Sequence, residues 1–209
     1  MLLFKTNLYV AKKVMLNKFL KYRKHLGDSV IDIGCGKQPF KKYFKDYVGL
    51  DHKNYADIIG DVGELPFKDE CTDTVICSEV LEHVWNPFAA MHEISRILKK
   101  DGMLYLTVPM YWYMHYEPND YWRFTFYSIN NMLMSNKFRL FLVDRTGGLN
   151  YFIANRIGET LCYCVEKIVG RKIAIILIAP MQLLLYAYSK LDKFNKRDIA
   201  GWIFLARKL

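Results

Sequence analysis

Two carboxylates set beside two glycines carry the first chemical signal in this chain. In Val30-Ile31-Asp32-Ile33-Gly34-Cys35-Gly36-Lys37-Gln38-Pro39-Phe40 a β-branched run breaks into a glycine-rich turn. Glycine at 34 and 36 lets the main chain bend sharply and lets a ligand approach it with no Cβ in the way. A strand, such a turn and a helix start form the nucleotide-binding corner of a doubly wound α/β sheet. Two departures from the dinucleotide fingerprint narrow the ligand. The third glycine would fall at Pro39, and Asp32 would repel a pyrophosphate. Asp51, after the apolar run Tyr47-Val48-Gly49-Leu50, lies near the spacing of roughly twenty residues at which an acid meets ribose hydroxyls. Both acids suit an adenosine ligand that carries positive charge.

A second concentration of reactive groups is Met110-Tyr111-Trp112-Tyr113-Met114-His115-Tyr116-Glu117-Pro118-Asn119-Asp120-Tyr121-Trp122-Arg123-Phe124-Thr125. It follows an apolar run directly, so it is expected to form the rim of a site. His115 and Glu117 are the first candidates to take a proton from a substrate hydroxyl, with His83 third. Arg123 has the fork that holds a phosphate or carboxylate, and Asp120 and Tyr121 join it as candidate substrate contacts. The alternative for the same residues is a lid in which Asp120 or Glu117 pairs with Arg123. Ser78, Glu79, Glu82 and His83 fall at the carboxyl end of another predicted strand, where open α/β sheets bind ligands.

In order, these segments resemble the class I S-adenosylmethionine-dependent methyltransferases, in particular the type 11-like methyltransferase domain. Asp32-x-Gly34-x-Gly36 looks like their first motif, Asp51 like the ribose acid, and Gly60-Asp61-Val62-Gly63-Glu64-Leu65-Pro66-Phe67 like the adenine segment. Thr74 to Val84 resembles their fourth strand and turn, and Leu98 to Pro109 their fifth strand. The resemblance implies S-adenosyl-L-methionine as cofactor. Asp32, Gly34 and Gly36 would hold its methionine end, Asp51 the ribose and Asp61 with Val62 the adenine, with Ser78 and Glu79 beside it. It also implies a Rossmann-like, seven-stranded doubly wound sheet with an antiparallel last strand. The pattern His-x-Glu-Pro-x-Asp-Tyr-x-Arg-x-Thr at 115–125 resembles members associated with surface-polysaccharide biosynthesis. Two other uses of the cofactor stay open: methylation of a quinone-like lipid or small metabolite, and a non-catalytic cofactor-binding module.

The elements that must position these groups are predicted from periodicity and punctuation. Strands are expected at 29–33, 47–50, 73–77, 102–108, 138–144 and 201–207, and helices at 39–45, 86–99 and 125–136, the second capped by Asn86 with Pro87 after it. Alternation of this kind implies a parallel sheet. Between the last two strands lie roughly fifty residues, too apolar for a linker. Ile153, Ile157, Leu161, Val165 and Ile168 recur at helical spacing there, and Ile173 to Tyr188 is a second apolar run broken by Pro180 and Gln182. That run is shorter than the roughly twenty residues that span a bilayer.

The chain therefore divides into a basic amphipathic helix at 1–27, a core at 28–149, a hydrophobic helical insertion at 150–197 and a final core strand at 198–209. Net charges of +7 on residues 1–27, −4 on 28–149 and +6 on 150–209 make up the total of +9. Basic flanks that are also apolar favour an anionic membrane surface over nucleic acid; a lid over the site and a dimer interface are the other uses of the insertion. The N-terminal helix, which includes Lys5 and Leu8, is assigned either to packing on the sheet or to the membrane surface. Five cysteines without zinc-ligand spacing read as reduced thiols, no metal site is expected, and no leader is evident over residues 1–10. The expected partner is a saccharide or lipid-linked acceptor, and the expected location is the cytoplasm, peripheral on the inner face of the membrane if the insertion docks there.

Overall fold

The computed structural model describes residues 9–194 and 197–209; Lys5, Leu8 and Lys196 of the basic flanks lie outside them. The chain divides into two compact units, Arg23–Asp144 with Gly201–Leu209, and Met1–Tyr22 with Arg145–Ala200.

The first unit is built on strands β1 (Ser29–Ile33), β2 (Asp46–Asp51), β3 (Ile58–Ile59), β4 (Thr72–Ser78), β5 (Leu98–Pro109), β6 (Phe138–Gly147) and β7 (Gly201–Lys208). They form one seven-stranded sheet in the order β3-β2-β1-β4-β5-β7-β6. Neighbours from β3 to β5 run parallel, and β7 enters antiparallel to β5, with Tyr105 opposite Leu205. Strand order reverses between β1 and β4, so the carboxyl ends of β1, β2 and β4 open a crevice there. Strand residues Ile33, Val75, Cys77, Leu104 and Leu106 pack with Met91, Ile94 and Ile97 of helix α2 (Pro87–Ile97) and Ile129 and Leu133 of α3 (Phe126–Ser135). Asn86 caps α2 by accepting from the Ala89 amide at 3.2 Å, and Thr125 caps α3 by accepting from that of Ser128 at 3.2 Å.

Three local expectations change. No α-helix forms over 39–45; a single 3-10 turn at Lys41–Tyr43 replaces it. Gln38 is left-handed (φ 52°) and β2 begins at Asp46, which leaves seven residues, too few to repay helix nucleation. Phe44 is already extended, with its ring stacked on Tyr47 and the Arg23 guanidinium 4.1 Å above it. The loop through residue 70 contains the edge strand β3. Leu98 and Lys99 belong to β5 and not to the preceding helix, because Leu98 pairs with Thr72.

The second unit contains helices α1 (Tyr9–Tyr22), α4 (Leu149–Val169) and α5 (Arg171–Ser189). Helix α1 packs on α4 and α5: the Ala11 amide donates to Asn155 Oδ1 at 2.8 Å, and Asn17 Nδ2 to the Tyr186 hydroxyl at 2.7 Å. The buried stripe of α4 is Tyr151, Ala154, Asn155, Gly158 and Cys162. It is not the stripe of large apolar residues noted in the sequence; of those, Ile157 and Leu161 are exposed and Ile168 is 81% exposed. Against α4, α5 buries Ala174, Ile178, Gln182 and Leu185, and Gln182 Nε2 donates to the Gly158 carbonyl at 3.3 Å. Ala154, Gly158 and Ala174 are among the buried residues, and several large residues, Ile157, Leu161, Ile176 and Leu184 among them, face outward.

Gly148, which precedes α4, offers no side chain to cap that helix. Asp192 does so from 44 residues away: its buried carboxylate accepts from the amides of Gly148 at 2.7 Å, Asn150 at 2.9 Å and Tyr151 at 3.0 Å. Hydrogen bonds to a buried charge are each worth roughly 1.5–3 kcal/mol, and a carboxylate at a helix N-terminus gains further from the helix dipole. Asp192→Ala is therefore expected to destabilise the protein by at least about 2 kcal/mol, with Asp192→Asn intermediate. In a thermal melt the alanine variant should lose roughly 4–8 °C.

Candidate functional site

The turn after β1 is left-handed at Gly34 (φ 65°) and at Gly36 (φ 52°). The two glycines serve different ends. A Cβ at Gly34 would lie 2.4 Å from Val80 Cγ2, so this glycine lets the turns after β1 and β4 meet. A Cβ at Gly36 would touch nothing within 4 Å, and this glycine leaves its backbone open to the cleft. Asp51 at the end of β2 ties the turn down: its buried carboxylate accepts from the Gly36 amide at 3.0 Å and the Lys53 amide at 3.2 Å.

The cleft so formed has a volume of about 720 Å³. Of the residues assigned to the cofactor from sequence, Gly34, Gly36, Asp51, Asp61, Val62 and Glu79 line it. Asp32 and Ser78 do not. Asp32 is buried on β1 and accepts from the Tyr47 hydroxyl at 2.5 Å. Burial is the main cause that pushes its carboxyl up to about 7; the Tyr47 hydrogen bond opposes it and the Asp51 charge adds to it. Asp32 therefore braces the turn through Tyr47, and burial opposes the negative charge expected of it. Ser78 shares a 2.9 Å hydrogen bond with Thr107. Glu79, left-handed at φ 56°, opens onto the cleft, and the protein around its carboxyl raises it to about 7, against a lowering contribution from Thr107 and then Arg123.

The segment carrying Asp61 is held from behind. Asp61 Oδ1 accepts from the Gly63 amide at 2.6 Å, and Glu93 Oε2 on α2 accepts from the Leu65 amide at 2.8 Å. Arg96 donates to both Glu93 oxygens and to the Leu65 and Phe67 carbonyls, which keeps the Glu93 carboxyl below the usual range. Position 93 carries no motif, so only contact with the loop reveals its part.

The rim segment at 110–125 is closed over the turn after β4. The Glu82 carbonyl accepts from the Tyr121 and Trp122 amides at 2.8 and 3.2 Å, and Trp122 Nε1 donates to the Val84 carbonyl at 2.9 Å. Arg123 pairs with Asp120 through two bonds of 2.6 and 2.8 Å. It also donates to the carbonyls of Trp112, Tyr113 and Trp122. All five N–H groups of a guanidinium are then engaged, so Arg123 and Asp120 are committed to bracing the rim. The hydrogen bonds from Arg123 keep the Asp120 carboxyl well below the usual carboxylate range. Of the proposed substrate contacts only Tyr121 lines the cleft, joined by Trp85, Tyr116, Tyr55 and Asn119, which carried no motif.

The three candidate bases separate. Glu117 is exposed and outside the cleft lining. His115 does not line the cleft, but its ring lies edge-on to that of His83 at 4.7 Å. His83 does line it, and burial lowers its pKa, so its imidazole is neutral near pH 7. Glu82 is fully buried. Neither of its carboxylate oxygens makes a hydrogen bond, and burial, followed by the Glu79 charge, raises its carboxyl well above the ordinary value. Glu82, His83 and His115 each offer one ligand atom within 4.8 Å of the others, a grouping that sequence spacing does not reveal.

The sheet order and the cleft at its reversal define a Rossmann-like α/β protein of the methyltransferase architecture. Residues 31–106 match the family model described as a methyltransferase domain. S-adenosyl-L-methionine is the cofactor such a domain implies, and the residues present fit it: an open glycine backbone at 36, the Asp51 carboxylate beside it and Asp61 with Val62 further along the wall. An uncharacterized protein of Methanocaldococcus jannaschii is 37% identical over 106 residues, which are 46% of this chain and 45% of that protein. The chain spans less than half the length of the curated relatives it matches. Among solved structures, the [4+2]-cyclase SpnF superposes with a TM-score of 0.62 at 18% identity, covering 93% of this chain and 80% of SpnF. An S-adenosylmethionine-dependent methyltransferase of Methanosarcina mazei gives 0.57 at 16% identity, covering 90% and 97%. At these identities the superpositions establish the fold.

Asp32 makes a pH-dependent contribution whose sign is fixed. Its folded pKa lies above the unfolded carboxylate value, so between about pH 4 and pH 7 the folded state holds a proton that the unfolded state has lost. Stability from this group is greatest below pH 4 and falls as pH rises to 7. Asp32→Asn keeps an acceptor for Tyr47 and cannot ionise. Its urea midpoint is expected to gain on the wild type between pH 5 and pH 8, by an amount equivalent to roughly 2–3 kcal/mol.

Proposed function

We propose that the protein is an S-adenosylmethionine-dependent methyltransferase that acts on a hydroxyl of a saccharide or lipid-linked intermediate at a membrane surface. The observation that carries this is one cleft in which the open backbone at Gly36, Asp51 and Asp61 meet a mouth of Trp85, Tyr116 and Tyr121. Aromatic faces suit the apolar face of a sugar ring or an isoprenoid chain. The cofactor supplies an electrophilic methyl group on a sulfonium. The chain itself orients the two reactants and excludes water, which accounts for much of the rate in such displacements. Glu79 is the proton acceptor in this scheme: it opens onto the cleft, and its carboxyl is raised above the ordinary carboxylate value, which favours general-base work.

The membrane half of the proposal is supported by the second unit. Ile173, Ile176, Leu177, Leu184 and Phe194 are exposed, Ile176 by 72%, and Lys167, Lys190, Lys193 and Arg197 are exposed with them. Basic groups beside exposed apolar residues complement an anionic bilayer. No helix among the described residues is long and apolar enough to cross a membrane, so the contact would lie in the interface.

Two measurements test these halves separately. In calorimetric titration S-adenosyl-L-methionine is expected to bind saturably, with Asp51→Ala at least about tenfold weaker; no binding by folded protein overturns the cofactor reading. In flotation with phosphatidylglycerol-containing liposomes the intact protein is expected to rise with the vesicles and the double variant Ile176→Glu, Leu184→Glu to stay below. Equal behaviour of the two proteins overturns the membrane reading.

A further inference from the structure

We propose that Glu82, His83 and His115 bind one divalent transition-metal cation beside the cleft. Their ligand atoms lie within 4.8 Å of one another. Glu82 supplies the strongest reason. Its side chain is fully buried, yet neither carboxylate oxygen makes a hydrogen bond. Buried carboxylates are ordinarily paired, hydrogen-bonded or bound to a metal, because an unmatched one has lost its hydration with nothing in exchange.

The hydrogen bonds of the two imidazoles favour tautomers suited to ligation. His83 Nδ1–H donates to the Asn119 carbonyl at 2.6 Å, which fixes the tautomer and leaves Nε2 with its lone pair. That Nε2 lies 3.8 Å from Glu82 Oε1, too far for a hydrogen bond and near the separation of two atoms that share a cation at about 2.1 Å each. His115 places Nδ1 3.1 Å from the Tyr113 carbonyl and 3.4 Å from Asp120 Oδ2, so its Nε2 is likewise left over. Its amide donates to Asp120 Oδ2 at 2.8 Å, and Arg123 holds Asp120 in turn. Imidazoles backed by a carbonyl or carboxylate on the second nitrogen are the usual outer arrangement of a metal-binding histidine.

Two neutral nitrogens and one carboxylate are borderline donors. They favour Mn²⁺, Fe²⁺, Co²⁺ or Zn²⁺ over Mg²⁺ and Ca²⁺, which take oxygen-rich shells. His83 lines the cleft, so an acceptor hydroxyl placed there comes within reach of the cation, whose charge would make that hydroxyl more acidic. This role rests on the methyltransferase reading; binding of the cation does not.

The test uses tag-free full-length protein stripped with a chelator and dialysed. Calorimetric titration with MnCl2, CoCl2 and MgCl2 is expected to show one equivalent of Mn²⁺ or Co²⁺, with Mg²⁺ about tenfold weaker or more. His83→Ala, His115→Ala and Glu82→Gln, each checked by circular dichroism, should weaken the transition metal by about tenfold or more. On the wild type alone, pulsed electron paramagnetic resonance of the Cu²⁺-loaded protein should show two coupled imidazole nitrogens, which keeps the proposal testable where a variant does not fold. No saturable binding by folded wild type, less than tenfold loss in all folded variants, or a Cu²⁺ spectrum without imidazole nitrogen overturns it. S-adenosyl-L-methionine is titrated in parallel. Its failure with cation binding intact removes the methyltransferase reading and leaves the site, and the reverse outcome does the opposite.

Discussion

The cleft exists because the turns after β1 and β4 meet more closely than any side chain at residue 34 would allow. A Cβ on Gly34 would stand 2.4 Å from Val80 Cγ2, closer than two such atoms can pack. That single contact brings the backbone of the first turn against the Glu79–His83 corner, and Asp51 locks it by accepting the Gly36 amide. Everything else at the site is hung on those two turns. The rim is fastened to the second through the Glu82 carbonyl, and the loop carrying Asp61 is fastened through Glu93 and Arg96 to the helix that follows it.

The distribution of charge within this frame separates structural acids from working ones. Asp32 and Glu82 are buried where ionisation is opposed, Asp120 is buried against a guanidinium that favours it, and Asp51 is held by backbone amides. Each is a carboxylate in a conspicuous sequence position, yet their environments give them different work. Asp32 braces the turn through Tyr47, and Asp120 orients a histidine amide and an arginine. Identity alone does not distinguish these fates; the partner does.

Most of the sheet could be read from the sequence because its longer strands contain apolar runs set off by glycines, acids and caps. Asn86 and Thr125 announce their helices through interactions that reach only three residues ahead. The failures share a different length scale. The expected helix at 39–45 is lost to the few residues between Gln38 and Asp46 and to the stacking of Phe44 on Tyr47. Asp192 caps a helix 44 residues before it, and no local pattern announces that. The buried face of α4 was hidden for another reason: a wheel drawn by hydrophobicity selects the large residues, whereas that face includes the small residues Ala154 and Gly158 and the polar Asn155. At the site, the glycines and Asp51 were legible as types at a spacing. The saturation of Arg123 was not, because three of its partners are backbone carbonyls.

That saturation shapes how the rim can change over generations. A loop whose only guanidinium is committed inward owes its conformation to Asp120 and to main-chain carbonyls, and little of it to the side chains that face the cleft. Tyr116 and Tyr121 can therefore be exchanged for other shapes without unfastening the loop that presents them. Fidelity of framework and drift of cleft shape are thus uncoupled in one short segment, which is the condition under which a single scaffold diversifies among related ligands.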